Sequence, residues 1–269
     1  MYLGPETEEV LVDLIDACVD RTQPWHMHGS PPCTLLSAMQ APANAAHQRA
    51  AADASANTEA AMALVHWYLQ LVRRLRPTTF TFEQVHHPRI REALAELKRG
   101  QPGAFDFYPT HFEDFGVPQQ RTRIIGGTPA LIDRVRHDPA LRCAPVRIRE
   151  ALVAPAGAVH VRSACFGRKV DETETVDNGD GTFSNADAED RNRTLDKVCW
   201  TLPSACPPTW TDAQFRCVRS LTIEECKVLQ TLPRDYRLAG TMKDQRRGVG
   251  NAVPPLFARK LMGDYRVPG

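Results

Sequence analysis

Three kinds of side chain in this sequence could share one reaction centre: a thiol, a carboxyl and a pair of guanidinium groups. Cys33 follows Pro31 and Pro32, which close a strand-like run over residues 25–29. Two prolines continue neither a strand nor a helix interior, so the chain must turn away from a sheet there. A thiol on so stiff a turn is either a buried structural sulfur or a nucleophile that adds to an electrophilic carbon and later leaves it. Glu83 ends a second β-branched and aromatic run, residues 78–82. It is either a solvated strand end or an acid able to donate a proton. Arg121 and Arg123 lie two apart, so on a strand they would share a face. They make either a solvated basic edge or a set of planar donors suited to a carbonyl oxygen or a phosphate.

The elements that must position these groups can be read from periodicity. Residues 6–20 predict a helix, with Val10, Leu11, Leu14, Ile15 and Cys18 at helical spacing. Residues 37–56 are rich in Ala, Asn and Gln without a periodic apolar stripe, and are expected to form a loop. The strongest helix is expected over residues 58–75, with Met62, Val65, Leu69 and Val72 on one stripe, Thr58 as N-cap and Pro77 as stop. Pro88 opens another helix through Leu97, and residues 104–112 and 122–125 read as strands separated by Gly116-Val117-Pro118. Thr128-Pro129 starts a helix to about His137. Alternating helices and strands argue for an α/β sheet, a class that places its chemistry at the carboxyl ends of strands. Residues 161–217 lose regular period, with a turn signal at Asn178-Gly179-Asp180-Gly181. A calcium-loop reading fails, because its first ligand would be Val176. Thr222 and Glu225 form a capping box ahead of a helix to about Leu232, and Pro254-Pro255 open a last helix to Met262.

Composition narrows the classes. The 269 residues are 42% hydrophobic and 24% charged, which fits a globular protein of one large domain, or of one large domain with a small appendage. No apolar run could span a bilayer, and Glu6, Glu8 and Glu9 stand where a secretory signal would be basic and then apolar. An intracellular, non-secreted protein is expected. Eight scattered cysteines suit mostly buried reduced thiols better than a disulfide scaffold or a zinc site. The net charge of +1 hides an asymmetry: residues 171–190 carry eight acids and no Lys or Arg, leaving 33 bases against 24 acids elsewhere. A basic body suits a polyanionic partner, with the acidic loop held away from it.

Five segments stand in an informative order: Gly29-Ser30-Pro31-Pro32-Cys33, Phe82-Glu83-Gln84-Val85, Phe115 to Arg123, Arg219-Ser220-Leu221-Thr222 with Leu229-Gln230, and Gly250-Asn251-Ala252-Val253-Pro254-Pro255. In this order the chain resembles the DNA cytosine-5-methyltransferase family from about His28 to Leu261. The family has Glu-Asn-Val where this chain has Glu83-Gln84-Val85. The resemblance implies Cys33 as the nucleophile on cytosine carbon 6. It implies that Glu83 protonates ring nitrogen 3, and that Arg121 and Arg123 stand in the active site, with Arg123 holding the base and nearby backbone. It further implies Pro32, Asn251 and Ala252 near S-adenosylmethionine, and Ser37, Gln119 and Arg219 near DNA, with no metal. The expected fold is α/β, a truncated Rossmann-like methyltransferase sheet with a small irregular target-recognition subdomain.

The family also has a Phe-x-Gly-x-Gly loop and a ribose-binding acid ahead of the nucleophile segment. Only 30 residues precede Pro31, whereas two βα units take roughly 60 residues. The S-adenosylmethionine site is therefore expected to be incomplete in this chain, with a second polypeptide or self-association completing the sheet. The expected organisation is a catalytic core over 1–140, a recognition region over 141–218 with the acidic loop 171–190, and a segment over 219–269 returning to the core. Methylation of cytosine in DNA is the leading reading. A catalytically inactive DNA-binding or regulatory protein is the alternative, and RNA cytosine is a third substrate option.

Overall fold

The structure, a computed structural model, describes residues 4–31, 47–163, 176–177, 183–184, 192–204 and 207–263. The expectations for Pro32, Cys33, Ser37, the turn at 178–181 and most of the acidic stretch lie outside these residues. In chain order the first elements are α1 (Glu8–Cys18), β1 (His26–Gly29), α2 (His47–Leu75), β2 (Thr79–Val85), α3 (Pro88–Gly100) and β3 (Asp106–His111). Next come β4 (Gln119–Gln120), β5 (Thr122–Gly127), α4 (Pro129–His137), α5 (Ile148–Ala151), β6 (His160–Arg162), β7 (Val176–Asp177) and β8 (Phe183–Ser184). The last are β9 (Asn192–Thr194), β10 (Cys199–Trp200), β11 (Thr209–Thr211), β12 (Cys217–Ser220), α6 (Ile223–Leu229), α7 (Met242–Asn251) and α8 (Pro255–Met262). Among the described residues no helix is long and apolar enough to cross a membrane.

The chain divides into two compact units. The first comprises residues 1–110, 122–138 and 262–269; the second comprises 111–121 and 139–261. The first unit is built on a sheet of order β1-β2-β5-β3, in which β1 runs parallel to β2 and β5 runs antiparallel to it. Phe80, Phe82 and Ile124 of this sheet pack with Val65, Tyr68 and Leu69 of α2 and Ile90 and Leu94 of α3. Phe82 is fully buried, and a Cβ at Gly126 would stand 2.2 Å from its ring, so the close approach of β5 needs glycine there. Burial of each such large apolar side chain contributes about 1.5–3 kcal/mol.

The second unit contains the sheet β12-β11-β6-β9 and the parallel pair β10-β4. Its core joins Val161 and Trp210 of the sheet to Cys226 and Leu229 of α6 and Val249 of α7. That packing draws the organisation differently from the sequence scheme: residues 219–261 group with 139–218 and 111–121, not with residues 1–110. Two local expectations are corrected. Residues 47–56 continue α2 where a loop was expected, and Thr58 is inside the helix instead of capping it. Alanine has the highest helix propensity, so an Ala-rich stretch can be helical without an apolar stripe. Among the described residues the thiols are not mostly buried: Cys199 and Cys226 are, but Cys18, Cys143 and Cys217 are exposed.

Candidate active site

Parallel pairing of β1 and β2 brings their carboxyl ends to one edge, with Gly29 opposite Phe82. The residues just beyond, Ser30-Pro31 and Glu83-Gln84, therefore meet. Gln84 donates its side-chain N–H to the carbonyl of Pro31 at 2.9 Å, and this bond is buried. It ties the proline segment to β2. Glu83 is only 6% exposed. Its Oε1 faces Arg123 Nε at 2.9 Å, and its Oε2 accepts from Ser30 Oγ at 3.3 Å. Arg123 reaches it diagonally, because the antiparallel register sets Arg123 opposite Val85, two residues beyond Glu83. The guanidinium is held by a second bond, from Nη1 to the Thr122 carbonyl at 2.8 Å. A carboxylate this buried is expensive to leave unpaired, and removing one partner of such a pair costs about 3–5 kcal/mol.

The same face of the sheet carries groups that the motif reading passed over. His26 Nδ1 lies 2.8 Å from Thr79 Oγ1, and its Nε2 lies 2.9 Å from Thr81 Oγ1. His28 Nδ1 also meets Thr81 Oγ1 at 2.9 Å, and its Nε2 lies 3.5 Å from Ser30 Oγ. Burial, with a smaller contribution from the like charge of His28, pushes the His26 imidazole down to about 4. The signal was present in the sequence: His26, His28 and Ser30, and Thr79, Thr81 and Glu83, each alternate with the period of a strand.

The remaining expected residues belong to the second unit. Arg121 and Arg123 do not share one strand face: Arg121 lies between β4 and β5, in the other unit. Its side chain is buried, with Nη2 3.5 Å from the Ala252 carbonyl, and its backbone N–H donates to Glu113 Oε2 at 3.2 Å. Gln119, expected near DNA, is fully buried. Its Nε2 donates to Leu229 O at 2.9 Å and to Gln230 Oε1 at 2.5 Å, and its Oε1 accepts from the Leu202 N–H at 3.1 Å. Its amide hydrogens and its oxygen are engaged internally and no part of it reaches the surface, so the expected DNA contact is corrected to an internal joint. Arg219 makes a two-pronged pair with Glu225, Nη1 to Oε2 at 2.7 Å and Nη2 to Oε1 at 2.9 Å. Gln230, which the motif reading gave no role, bridges Gln119 to the Ala252 carbonyl. A cavity of about 520 Å³ lies wholly within this unit, lined by Glu113, Gln120, Arg193, Lys197 and Trp200, with Arg193 3.5 Å from the Trp200 ring centre. It contains none of the expected catalytic residues.

Two of the three residues expected around S-adenosylmethionine can be placed. Asn251 is exposed at the end of α7, and Ala252 directs its carbonyl to Arg121 and Gln230. A carbonyl already accepting from an amide and a guanidinium has little left for a ligand. These residues do not make a cradle for the cofactor.

Comparison with known proteins adds independent information. Residues 158–265 match the family model for C-5 cytosine-specific DNA methylase. Cys33, Glu83, Arg121 and Arg123 precede that span. No curated protein sequence matches the chain. Among solved structures, a DNA modification methyltransferase encoded within a prophage of E. coli aligns with 16% identity and a TM-score of 0.51, over 97% of this chain and 82% of its own. A Spodoptera frugiperda DNMT2 variant aligns with 14% identity and a TM-score of 0.52, over 98% of this chain and 84% of its own. At these identities the structural likeness establishes the fold alone. The resemblance to the DNA cytosine-5-methyltransferases is thus found again, by a family model over residues 158–265 and by an α/β methyltransferase-like fold over nearly the whole chain.

Proposed function

We propose that this chain methylates carbon 5 of cytosine in DNA. The observation that carries the reading is the parallel β1–β2 edge, where the Pro31 carbonyl, two residues before Cys33, is bonded to Gln84 beside the ion-paired Glu83. In this reading the target base leaves the duplex stack, since its ring carbons are inaccessible within it. The Cys33 thiolate donates an electron pair to carbon 6, and Glu83 gives a proton to nitrogen 3. The ring loses its aromaticity and carbon 5 becomes enamine-like and nucleophilic. Once carbon 5 carries the methyl group, loss of its proton to a base, return of the nitrogen 3 proton to Glu83 and expulsion of the thiolate restore the ring. Splitting one difficult substitution into these easier steps is the gain of covalent catalysis. Arg123 orients Glu83 and is the nearest donor for the base.

S-adenosylmethionine is the methyl donor that the family resemblance implies, and no step through it is derived from the residues of this chain. Among the described residues β1 pairs only with β2. A second chain or second copy added at that edge is the proposed source of the missing cofactor groups. The commitment of the Ala252 carbonyl favours the other reading, a methyltransferase-like protein that binds DNA without chemistry.

A single experiment separates the two. DNA carrying 5-fluorocytosine traps the covalent intermediate, because fluorine blocks the final elimination. With S-adenosylmethionine present, a denaturant-stable adduct is expected from the chain alone or with extract of its source cells, and Cys33→Ser is expected to abolish it. DNA binding with no adduct under either condition would sink the catalytic reading. An adduct surviving Cys33→Ser would move the chemistry to another residue.

A further inference from the structure

We propose that Ser30 and His28 are positioning residues for Glu83, forming with Thr81 and His26 a single file of hydrogen bonds that fixes the orientation of the proton-accepting oxygen and connects it to solvent. The inference rests on the reading of Glu83 as the acid.

The file runs along one face of β1 and β2: Thr79 to His26 at 2.8 Å, His26 to Thr81 at 2.9 Å, Thr81 to His28 at 2.9 Å, His28 to Ser30 at 3.5 Å and Ser30 to Glu83 at 3.3 Å. Its direction follows from one end. A carboxylate paired with Arg123 can only accept, so Ser30 must donate to Glu83 Oε2. The Ser30 hydroxyl has a single hydrogen, so it accepts from His28 Nε2–H. Neutral His28 then has a bare Nδ1, which accepts from the Thr81 hydroxyl. Thr81 in turn accepts from His26 Nε2–H, and His26 Nδ1 accepts from Thr79. One charge therefore selects the same tautomer in both histidines. With both histidines neutral, no other arrangement satisfies every link while Glu83 is ionised.

The file is also a path for a proton. When His28 takes up a proton from water, it can pass its Nε2 proton to Ser30 as Ser30 passes its own to Glu83, so that the proton gained by Glu83 comes from solvent and no heavy atom moves. His28 is exposed and can exchange with water, whereas Glu83 is buried. The charged and titratable groups that face this path are His26 from β1, Glu83 from β2 and Arg123 from β5. Surrounding protein lowers the His28 imidazole and the Glu83 charge opposes that. The opposite face is apolar: there Tyr68 binds only the backbone carbonyls of Met27 and Thr81.

Two measurements test this. Nitrogen-15 NMR of the intact chain, labelled in histidine, needs no turnover. Neutral His28 is expected as the Nε2–H tautomer, and Ser30→Ala is expected to abolish that preference. Ser30→Thr, which keeps the hydroxyl, is expected to retain it. Glu83→Gln is expected to lower the titration midpoint of His28. The second arm is the rate of adduct formation with 5-fluorocytosine DNA against pH. Ser30→Ala is expected to slow it about tenfold, less than the about 10²–10⁴-fold that a general acid contributes, and to alter its acid limb. Adding Ser30→Ala to Glu83→Gln should then cost nothing more. An unchanged His28 tautomer in Ser30→Ala overturns the proposal whatever the rates. A tautomer that responds while Glu83→Gln leaves adduct formation unchanged instead overturns the acid role of Glu83.

Discussion

In the proposed reaction Glu83 concentrates the proton transfer into one side chain. It is 6% exposed, yet it holds an arginine on one oxygen and a serine on the other, so it is fixed in orientation before any base arrives. Glu83→Gln preserves size and most hydrogen bonding but removes the transferable proton. Methyl transfer, followed with a tritiated donor, is expected to fall by about 10²–10⁴-fold, and a change under about threefold in an active preparation would exclude Glu83 from the mechanism. The strand placement of Glu83 and Arg123 was legible because each belongs to a run whose β-branched and aromatic composition announces it. The burial of Gln119 was not. Its partners Leu229 and Gln230 lie more than a hundred residues along the chain, and no local pattern encodes that pairing. His26 and His28 were legible as an alternation, but histidines on a four-residue strand carry no motif of their own.

At the level of elements, Glu225 does the work of several residues. It closes the capping box of α6 by accepting from the Thr222 N–H at 2.7 Å, binds both prongs of Arg219, and accepts from the Trp210 indole at 3.1 Å. Burial works to raise its pKa, but the Arg219 guanidinium, the Thr222 amide and the Trp210 indole outweigh it, so the carboxyl is held below its ordinary 4.5. A depressed carboxyl contributes stability that is fully present above its unfolded value and lost as pH falls through the folded one. Glu225→Gln is therefore expected to lower the melting temperature at pH 7, by the equivalent of about 1–3 kcal/mol at most, since Arg219 is partly exposed to solvent. The gap to wild type should narrow as the pH falls below the ordinary 4.5 and through the lowered folded value; a gap independent of pH would mean that packing, not charge, is lost. The capping box was legible as Thr222 and Glu225 three apart. The sheet it supports was not, because strands of two to four residues give too few alternations to distinguish from loop.

For the molecule as a whole, membership of the two units is decided by packing, which length does not encode. The last motif segment went with Trp210 and Val161 because Cys226, Leu229 and Val249 share their core. The same arrangement bears on the cofactor. Loss of two or three hydrogen bonds to charged groups, at about 1.5–3 kcal/mol each, moves a micromolar site to millimolar or beyond. Calorimetric titration of the chain with S-adenosylmethionine is expected to show no micromolar site, and sedimentation is expected to show self-association through the β1 edge or a need for a partner. A one-to-one micromolar site in a monomer would show that the described residues bind the cofactor in a way the motifs do not reveal.

Because the second unit takes residues 111–121 from the middle of the first, its assembly during synthesis has an enforced order. The strand Gln119–Gln120 finds its parallel neighbour only when Cys199–Trp200 has been made. Gln119 waits longer still, for Leu229 and Gln230, before its amide is satisfied. A ribosome releasing this chain thus exposes an unpaired strand and an unsatisfied amide for the time needed to add about a hundred residues, several seconds at about 5–20 residues per second. The second unit cannot close before Leu229 and Gln230 have been made, whatever the state of the residues that precede them.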